Sequence, residues 1–243
     1  MKPVRRLGMA AAAVAGLATA LPSPAQQQQR TMRDAPVWYL GAGAGVAYGS
    51  LNGSDFNNVA NLMNQTGIAG GGISQTLSSS TTEFGWKVFG GYRFAPYFGL
   101  EGSYASFGTM NMNYQFNQGG VQTGSGTMSY QAHSWNIAAV PRLPFESGAF
   151  LQAKIGAAFT TADNTYSLTM PGFTQSSSGS KASTNLLAGA GLGYDFPNGL
   201  TLLFEYEYYG RLGNSFSFSA TDGLTGVGRV DMNLFTLNGV VRF

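Results

Sequence analysis

The chain has 243 residues, of which 35 are glycine, 13% are aromatic and only 10% are Asp, Glu, Lys or Arg, a balance unusual for a soluble globule. The absence of cysteine excludes a disulfide framework and thiol-based metal or redox sites. The net charge of +2 owes three cations to the first six residues. Without them ten basic residues face eleven acidic ones, so the basic balance is no argument for a nucleic-acid partner.

Lys2, Arg5 and Arg6 precede an apolar run from Leu7 to Leu21, and Ser23-Pro-Ala25 places small residues where a signal peptidase reads. A cleaved export signal over 1–25, cut after Ala25, is expected, followed by a polar periplasmic tail over 26–36. Beyond the leader no segment has the roughly 18 continuous apolar residues of a spanning helix.

From Trp38 a period of two begins. Trp38, Leu40, Ala42, Ala44, Val46 and Tyr48 take one face, and Tyr39, Gly41, Gly43, Gly45, Ala47 and Gly49 the other. Ten steps of strand cover roughly 33 Å, which tilted by about 40° projects to about 25 Å, the height of an outer-membrane barrel's apolar band. Residues 51–82 have no period and read as a long loop with a helical turn around Val59 to Met63. The second strand sets Phe84, Trp86, Val88, Gly90, Tyr92 and Phe94 against Glu83, Gly85, Lys87, Phe89, Gly91 and Arg93. A tight turn at Ala95-Pro-Tyr97 leads into the third, with Leu100, Gly102 and Tyr104 outward and Glu101 and Ser103 inward. The same alternation carries on through Met110, Met112, Tyr114 and Phe116, too far for the membrane alone.

Gly119 to Gly126 reads as a loop. The fourth strand ends with Trp135, Ile137, Ala139 and Pro141 opposed to Asn136, Ala138, Val140 and Arg142, with a bulge before His133 left open. Pro144 to Gly148 is a short connection. The fifth strand opposes Leu151, Ala153, Ile155, Ala157 and Phe159 to Gln152, Lys154 and Gly156, and Thr161 to Ser183 reads as another polar loop. The sixth sets Leu186, Ala188, Ala190, Leu192, Tyr194 and Phe196 against Leu187, Gly189, Gly191, Gly193 and Asp195. Pro197-Asn-Gly199 turns it into the seventh, where Leu202, Phe204, Tyr206 and Tyr208 oppose Leu203, Glu205, Glu207 and Arg211. After a loop from Gly213 to Gly228 the last strand presents Phe235, Leu237, Gly239, Val241 and Phe243 on one face, and Leu234, Thr236, Asn238, Val240 and Arg242 on the other.

Eight strands joined alternately by long and short connections predict an all-β fold over 37–243, an eight-stranded antiparallel up-and-down transmembrane β-barrel. Both ends of the chain then lie in the periplasm. The edge of the last strand must be paired within a membrane, and the first strand is its natural partner. A soluble binding barrel would put Trp38, Leu40, Phe84, Trp86, Phe204 and Tyr206 inside and Lys87, Glu101, Lys154 and Glu205 in water. Its outer face would then be largely glycine, and the aromatics would not follow the strand ends as they do here.

Several segments, namely Gly41-Ala-Gly-Ala-Gly, Gly85-Trp-Lys-Val-Phe-Gly-Gly-Tyr-Arg-Phe, Leu100-Glu-Gly-Ser-Tyr, Gly193-Tyr-Asp-Phe-Pro-Asn-Gly, the Glu-Tyr of the seventh strand and Val241-Arg-Phe, resemble the small eight-stranded outer-membrane barrels of the OmpA, OmpX and opacity-protein superfamily. The resemblance runs from Trp38 to Phe243 and implies an outer-membrane site in a Gram-negative bacterium after Sec-type export. It also implies that Phe235, Leu237, Gly239, Val241 and Phe243 form the signal read by the outer-membrane assembly machinery. Its members include anchors and adhesins, so it narrows function little. The peptidoglycan-binding domain of OmpA itself has no counterpart here, so cell-wall anchoring is not implied.

Gly41-x-Gly43-x-Gly45 and Gly189-x-Gly191-x-Gly193 lack the following helix and the spacing of a nucleotide fingerprint; inward glycines making room for long side chains are the expectation. His133-Ser134 brings to mind barrel enzymes that deacylate lipid A. Neighbours on a strand point to opposite faces, however, so a catalytic pair is not expected there. Charges concentrate on the inner face. Lys87, Glu101, Lys154, Glu205 and Glu207 are expected to form a mid-strand network, joined in the lumen by Glu83, Arg93, Arg142, Asp195, Arg211 and Arg242, because unpaired charge in a narrow barrel is strongly disfavoured. The expected function is non-enzymatic, with no cofactor: a plugged barrel with a structural or adhesion-type role through its long loops. The alternatives are a narrow channel for small solutes and, less favoured, lipid A modification. Outer-membrane lipids and lipopolysaccharide are the implied surroundings, and the loops are where a host or surface ligand would bind.

Overall fold

The computed structural model describes residues 36–50, 56, 59–65, 72–219 and 222–243; the expected leader, its cut at Ala25 and nearly all of the tail lie outside them. In chain order the elements are β1 (Val37–Ser50), α1 (Val59–Gln65), β2 (Ile73–Ser79), β3 (Thr82–Ala95), β4 (Phe98–Gln118), β5 (Val121–Pro144), β6 (Ala149–Met170), β7 (Phe173–Asp195), β8 (Leu200–Leu212), β9 (Ser217–Ser219), β10 (Gly223–Thr225) and β11 (Val230–Arg242).

Eight of these strands close into an antiparallel ring in the order β1, β3, β4, β5, β6, β7, β8, β11 and back to β1. The closing seam runs from Tyr39 opposite Arg242 to Ser50 opposite Asp231. Trp38 and Phe243 exchange backbone hydrogen bonds of 3.1 and 3.0 Å at its end, so neither strand carries an open edge. β2 takes over from β3 as the partner of β4, pairing Ile73 to Ser79 with Gln118 to Met112. β9 and β10 form a separate small hairpin.

The alternation expected within the ring is present. Trp38, Leu40, Phe84, Trp86, Trp135, Ile155, Leu192, Phe204 and Leu237 are exposed on the outside, whereas Tyr39, Lys87, Phe89, Glu101, Lys154 and Glu205 are buried inside. Inward glycines make room for rings from neighbouring strands. A methyl group at Gly41 would collide with the Phe89 ring, and one at Gly193 with the ring of Phe150.

One end of the ring has short turns at residues 96–97, 145–148 and 196–199. At the other end the loops expected at Gly119–Gly126 and Thr161–Ser183 are instead strand, apart from two-residue turns at 119–120 and 171–172. β4 to β7 run to 21, 24, 22 and 23 residues, against 13 or 14 for β1, β3, β8 and β11. At about 3.3 Å per residue these four reach roughly 70 to 80 Å, while a crossing needs about 9 to 11 residues. They form a wall standing well beyond the membrane. The wall is built of two hairpins with two-residue turns: Gly119 and Gly120, both at positive φ as a type I′ turn requires, and Pro171-Gly172.

β4 also departs from the expected alternation. Its register against β5 shifts between Ser106 and Thr109, at Gly108, whose φ is 74°. Phe107 and Met110 therefore both point inward, and Met112, Tyr114 and Phe116 follow them inside rather than continuing the outer face of Leu100 and Tyr104. The bulge lies on β4; β5 alternates without interruption from Gly126 to Arg142.

The inward turn of β4 produces an apolar core above the membrane. Met110, Met112, Tyr114 and Phe116 meet Met128 and Tyr130 of β5, Tyr166, Leu168 and Met170 of β6, and Val59, Ala60 and Met63 of α1. Phe56 packs edge-on to Tyr130 and Phe216 at 6.2 and 5.2 Å. The helix is tied to β2: Ala60 N donates to Gln75 Oε1 at 2.7 Å, and Asn64 and Ile73 exchange hydrogen bonds of 2.7 and 2.8 Å.

Candidate functional site in the barrel lumen

The inward register of β3, β4, β6 and β8 carries Lys87, Glu101, Lys154, Glu205 and Glu207 to one level of the barrel, where all five are buried. Lys87 Nζ pairs with Glu205 and lies 2.9 Å from Glu207 Oε2. Lys154 Nζ reaches three carboxylates: Glu101 at 2.5 Å, Glu205 at 2.8 Å and Glu207 at 3.0 Å. Two ammonium groups thus face three carboxylates. Neutral donors offset the excess: Tyr39 Oη to Glu101 at 3.1 Å, Tyr209 Oη to Glu207 at 2.9 Å and Gln152 Nε2 to Glu205 at 2.9 Å. Charge-assisted hydrogen bonds of this kind are the stronger class, and in a low-dielectric interior each has a large effect.

Layers of apolar side chains lie on both sides of the network. Tyr39, Phe89, Phe150, Leu203 and Val240 cluster toward the short-turn end, and Lys87 and Lys154 lie 4.8 and 5.2 Å from the centre of the Phe89 ring. Toward the wall, Phe107 and Tyr209 pack edge-on at 4.7 Å.

A second polar cluster occupies the short-turn end. Asp195 pairs with Arg142, lies 3.4 Å from Arg242 Nη1 and accepts from Thr201 Oγ1 at 2.6 Å. Arg142 stacks 3.5 Å from the Phe150 ring centre, and Arg93 sits 5.9 Å from that of Tyr39.

Two residues expected in the lumen lie elsewhere. Arg211 is exposed and pairs with Asp231 at 3.4 Å, because Gly210 adopts a φ of 71° and reverses the alternation after Tyr209, so that Leu212 turns inward in its place. Glu83 is half-buried at the far rim, where it accepts from Ser80 Oγ at 2.6 Å, and takes no part in the network. Tyr39 and Gln152 stood on the inner register in the sequence, yet nothing there marked them as donors. Tyr209 likewise continues the inward register of Glu205 and Glu207, two residues beyond the latter.

His133 and Ser134 do not meet. Ser134 is buried and donates to Asn136 Oδ1 at 2.6 Å, whereas the His133 ring is half-buried beside that of Tyr104 at 6.0 Å. Among the described residues no group of His, Asp or Glu is set out to hold a metal ion.

The outer surface bears two aromatic belts. Trp38–Tyr92, Phe94–Phe98 and Tyr194–Phe196 pack at 4.7, 5.2 and 4.9 Å beside the short turns. Trp86–Tyr104, Tyr104–Trp135 and Tyr206–Phe235 pack at 5.6, 4.8 and 4.9 Å nearer the wall. Amphipathic rings favour the two membrane–water interfaces, so the belts mark where the bilayer ends. On β11, Phe235, Leu237, Val241 and Phe243 face outward, and Gly239 has open space where a side chain would be.

The chain is similar, at low identity, to several solved structures. The attachment invasion locus protein Ail of Yersinia pestis, crystallised with the heparin analogue sucrose octasulfate, is 17% identical; the match covers 86% of this chain and 99% of Ail with a TM-score of 0.41. OprG of Pseudomonas aeruginosa is 12% identical, with 87% and 98% covered and a TM-score of 0.48. Neisserial surface protein A is 15% identical, with 85% and 97% covered and a TM-score of 0.36. Among curated proteins no sequence matches this chain. The family model of the OmpA-like transmembrane domain matches residues 33–243. With a closed ring, an apolar exterior and paired aromatic belts in agreement with that match, the chain belongs to the OmpA-like transmembrane domain family and is an outer-membrane β-barrel of Gram-negative bacteria.

Proposed function

We propose that this protein is a non-enzymatic, plugged barrel that presents a stiff β-sheet surface outside the cell for attachment to another surface. The observation that carries the reading is the combination of a filled lumen with a wall of hydrogen-bonded strand. The five charges at mid-barrel are paired with one another and with neighbouring hydroxyl and amide donors. The wall's outer face is polar and its strands are hydrogen-bonded to one another, which lowers the ordering cost of binding compared with unpaired loops. Cell-binding assays on a chain whose hairpin tips, residues 118–121 and 170–174, are replaced by alternative two-residue turns test this. Loss of binding with the barrel still folded is the expected result, and undiminished binding would remove the proposal.

In the same reading, residues 1–25 are a leader cut after Ala25, residues 26–36 a periplasmic tail, and Phe235, Leu237, Gly239, Val241 and Phe243 the surface recognised during assembly. N-terminal sequencing of the outer-membrane protein that began at Met1 would contradict the first. Planar-bilayer recording separates the plugged barrel from a narrow solute channel: conductance should be negligible, and large stable steps would favour the channel.

A further inference from the structure

The polar cluster at the short-turn end is out of balance in the opposite sense to the mid-barrel network, where carboxylates outnumber ammonium groups by one. Arg93, Arg142 and Arg242 bring three permanent positive charges to a single carboxylate, Asp195. Arg93 makes no hydrogen bond or ion pair with any described residue; its guanidinium lies 5.9 Å from the centre of the Tyr39 ring. Arg142 is 6% exposed, and after pairing Nη2 with Asp195 its Nε and Nη1 have no partner among the described residues. Nε of Arg242 is likewise buried and unmatched. Buried guanidinium N–H groups without an acceptor are expensive, and so is unneutralised positive charge beside apolar walls.

Arg93 and Arg142 also line one cavity of about 20 Å³, together with Tyr39, Phe89, Phe150, Gln152 and Thr201; the Glu101 carboxylate borders it too, but is already paired with Lys154 and accepts from Tyr39. That volume accommodates one water-sized group. A group held there gains from like-signed neighbours only if it is negative. Its size excludes a bulky ligand, and its position inside the ring excludes a lipid headgroup still attached to its chains. Arginine supplies planar, always-charged donors that keep their form at any pH the cell meets.

We infer that the periplasmic mouth of the barrel binds one small dissolved anion, of chloride size, between Arg93 and Arg142, where it accepts from the unmatched Arg142 N–H groups and balances the excess positive charge. The anion would act as a structural counter-ion, tying β3 and β5 together below the apolar layer.

The test uses the full folded barrel, labelled with ¹⁵N-arginine, in phosphatidylcholine nanodiscs, with chloride replacing gluconate at constant ionic strength. The Arg142 Nε–H resonance should shift and saturate along a one-site isotherm. Arg93→Gln strands no carboxylate, so the barrel should fold, and the half-saturation point should rise about tenfold, as expected for loss of one charge-assisted contact. Arg93→Lys should retain most of the affinity. Asp195→Asn removes the competing carboxylate and should move the half-point the other way. A linear, unsaturable shift, or equal half-points for the native chain and Arg93→Gln, would overturn the inference. So would a shift produced only by adding phosphatidylglycerol to the nanodisc, which would assign the site to lipid phosphate.

Discussion

Replacing Lys154 with Met tests whether the mid-barrel charges act as a dry, interlocked plug. The substitution keeps the length of the side chain and removes one ammonium that lies 2.5 to 3.0 Å from three carboxylates. The loss is unevenly shared. Glu205 and Glu207 keep Lys87, together with Gln152 and Tyr209, but Glu101 is left with the Tyr39 hydroxyl alone. Stranding one partner of a buried pair costs about 3 to 5 kcal/mol. For a chain of this size each kcal/mol lowers the midpoint by about 2 to 4 °C, which gives a fall of roughly 6 to 20 °C. The fraction of barrel that keeps its compact mobility after heating in dodecyl sulfate reports that midpoint. Adding Glu101→Gln to Lys154→Met removes the stranded charge, so the double variant should regain more than half of the loss. A lumen full of water would screen these charges; the single variant would then lose less than about 1 kcal/mol and the second change would rescue nothing. That outcome, above all with altered conductance, would refute the plug.

Gly108→Ala should destabilise the barrel by about 1 to 3 kcal/mol, because the residue must hold a φ of 74° and its new methyl would meet the Phe84 carbonyl oxygen at 2.7 Å; chemical denaturation checks this, and a neutral effect would mean that the bulge is not needed to turn Met110 inward. Tyr114 and Tyr130, in the wall outside the membrane, have buried hydroxyls with no partner among the described residues, and burial pushes both above the usual tyrosine range. Since their folded values are raised, the stability they contribute is complete below the ordinary value of about 10 and declines as pH rises past it toward the raised value. Titration at 295 nm should accordingly show these two phenols ionising only when the wall opens, and normal ionisation in the intact barrel would contradict the apolar core. Deleting Phe243, 74% exposed on the outer face, should impair membrane assembly more than deleting residues 26–33, as quantified by the heat-modifiable fraction in outer-membrane preparations; equal losses would remove the role given to the last strand.

The architecture of the membrane-embedded ring was legible in the chain itself, because a strand there has two very different neighbours and a period of two must sort them. Trp38 against Tyr39, Trp86 against Lys87 and Phe204 against Glu205 declare their sides without any knowledge of partners. The same logic gathered Lys87, Glu101, Lys154, Glu205 and Glu207 into one interior, since no other position could hold so many charges. Outside the membrane that contrast disappears. Both faces of Thr174 to Ser183 are polar, so nothing local distinguishes strand from loop, although Tyr166-Ser-Leu-Thr-Met and Met128-Ser-Tyr-Gln-Ala kept a readable alternation. What the tertiary structure decided was register and pairing. One glycine at positive φ, at position 108 or 210, reverses the sense of every residue beyond it, which is why Met110 to Phe116 entered a core and Arg211 left the lumen. Partner choice likewise depends on how far each strand is staggered around the ring. Only the curling of the sheet into a ring brings the Tyr39 hydroxyl to the Glu101 carboxylate, 62 residues away, and leaves three arginines facing one aspartate at the short-turn end.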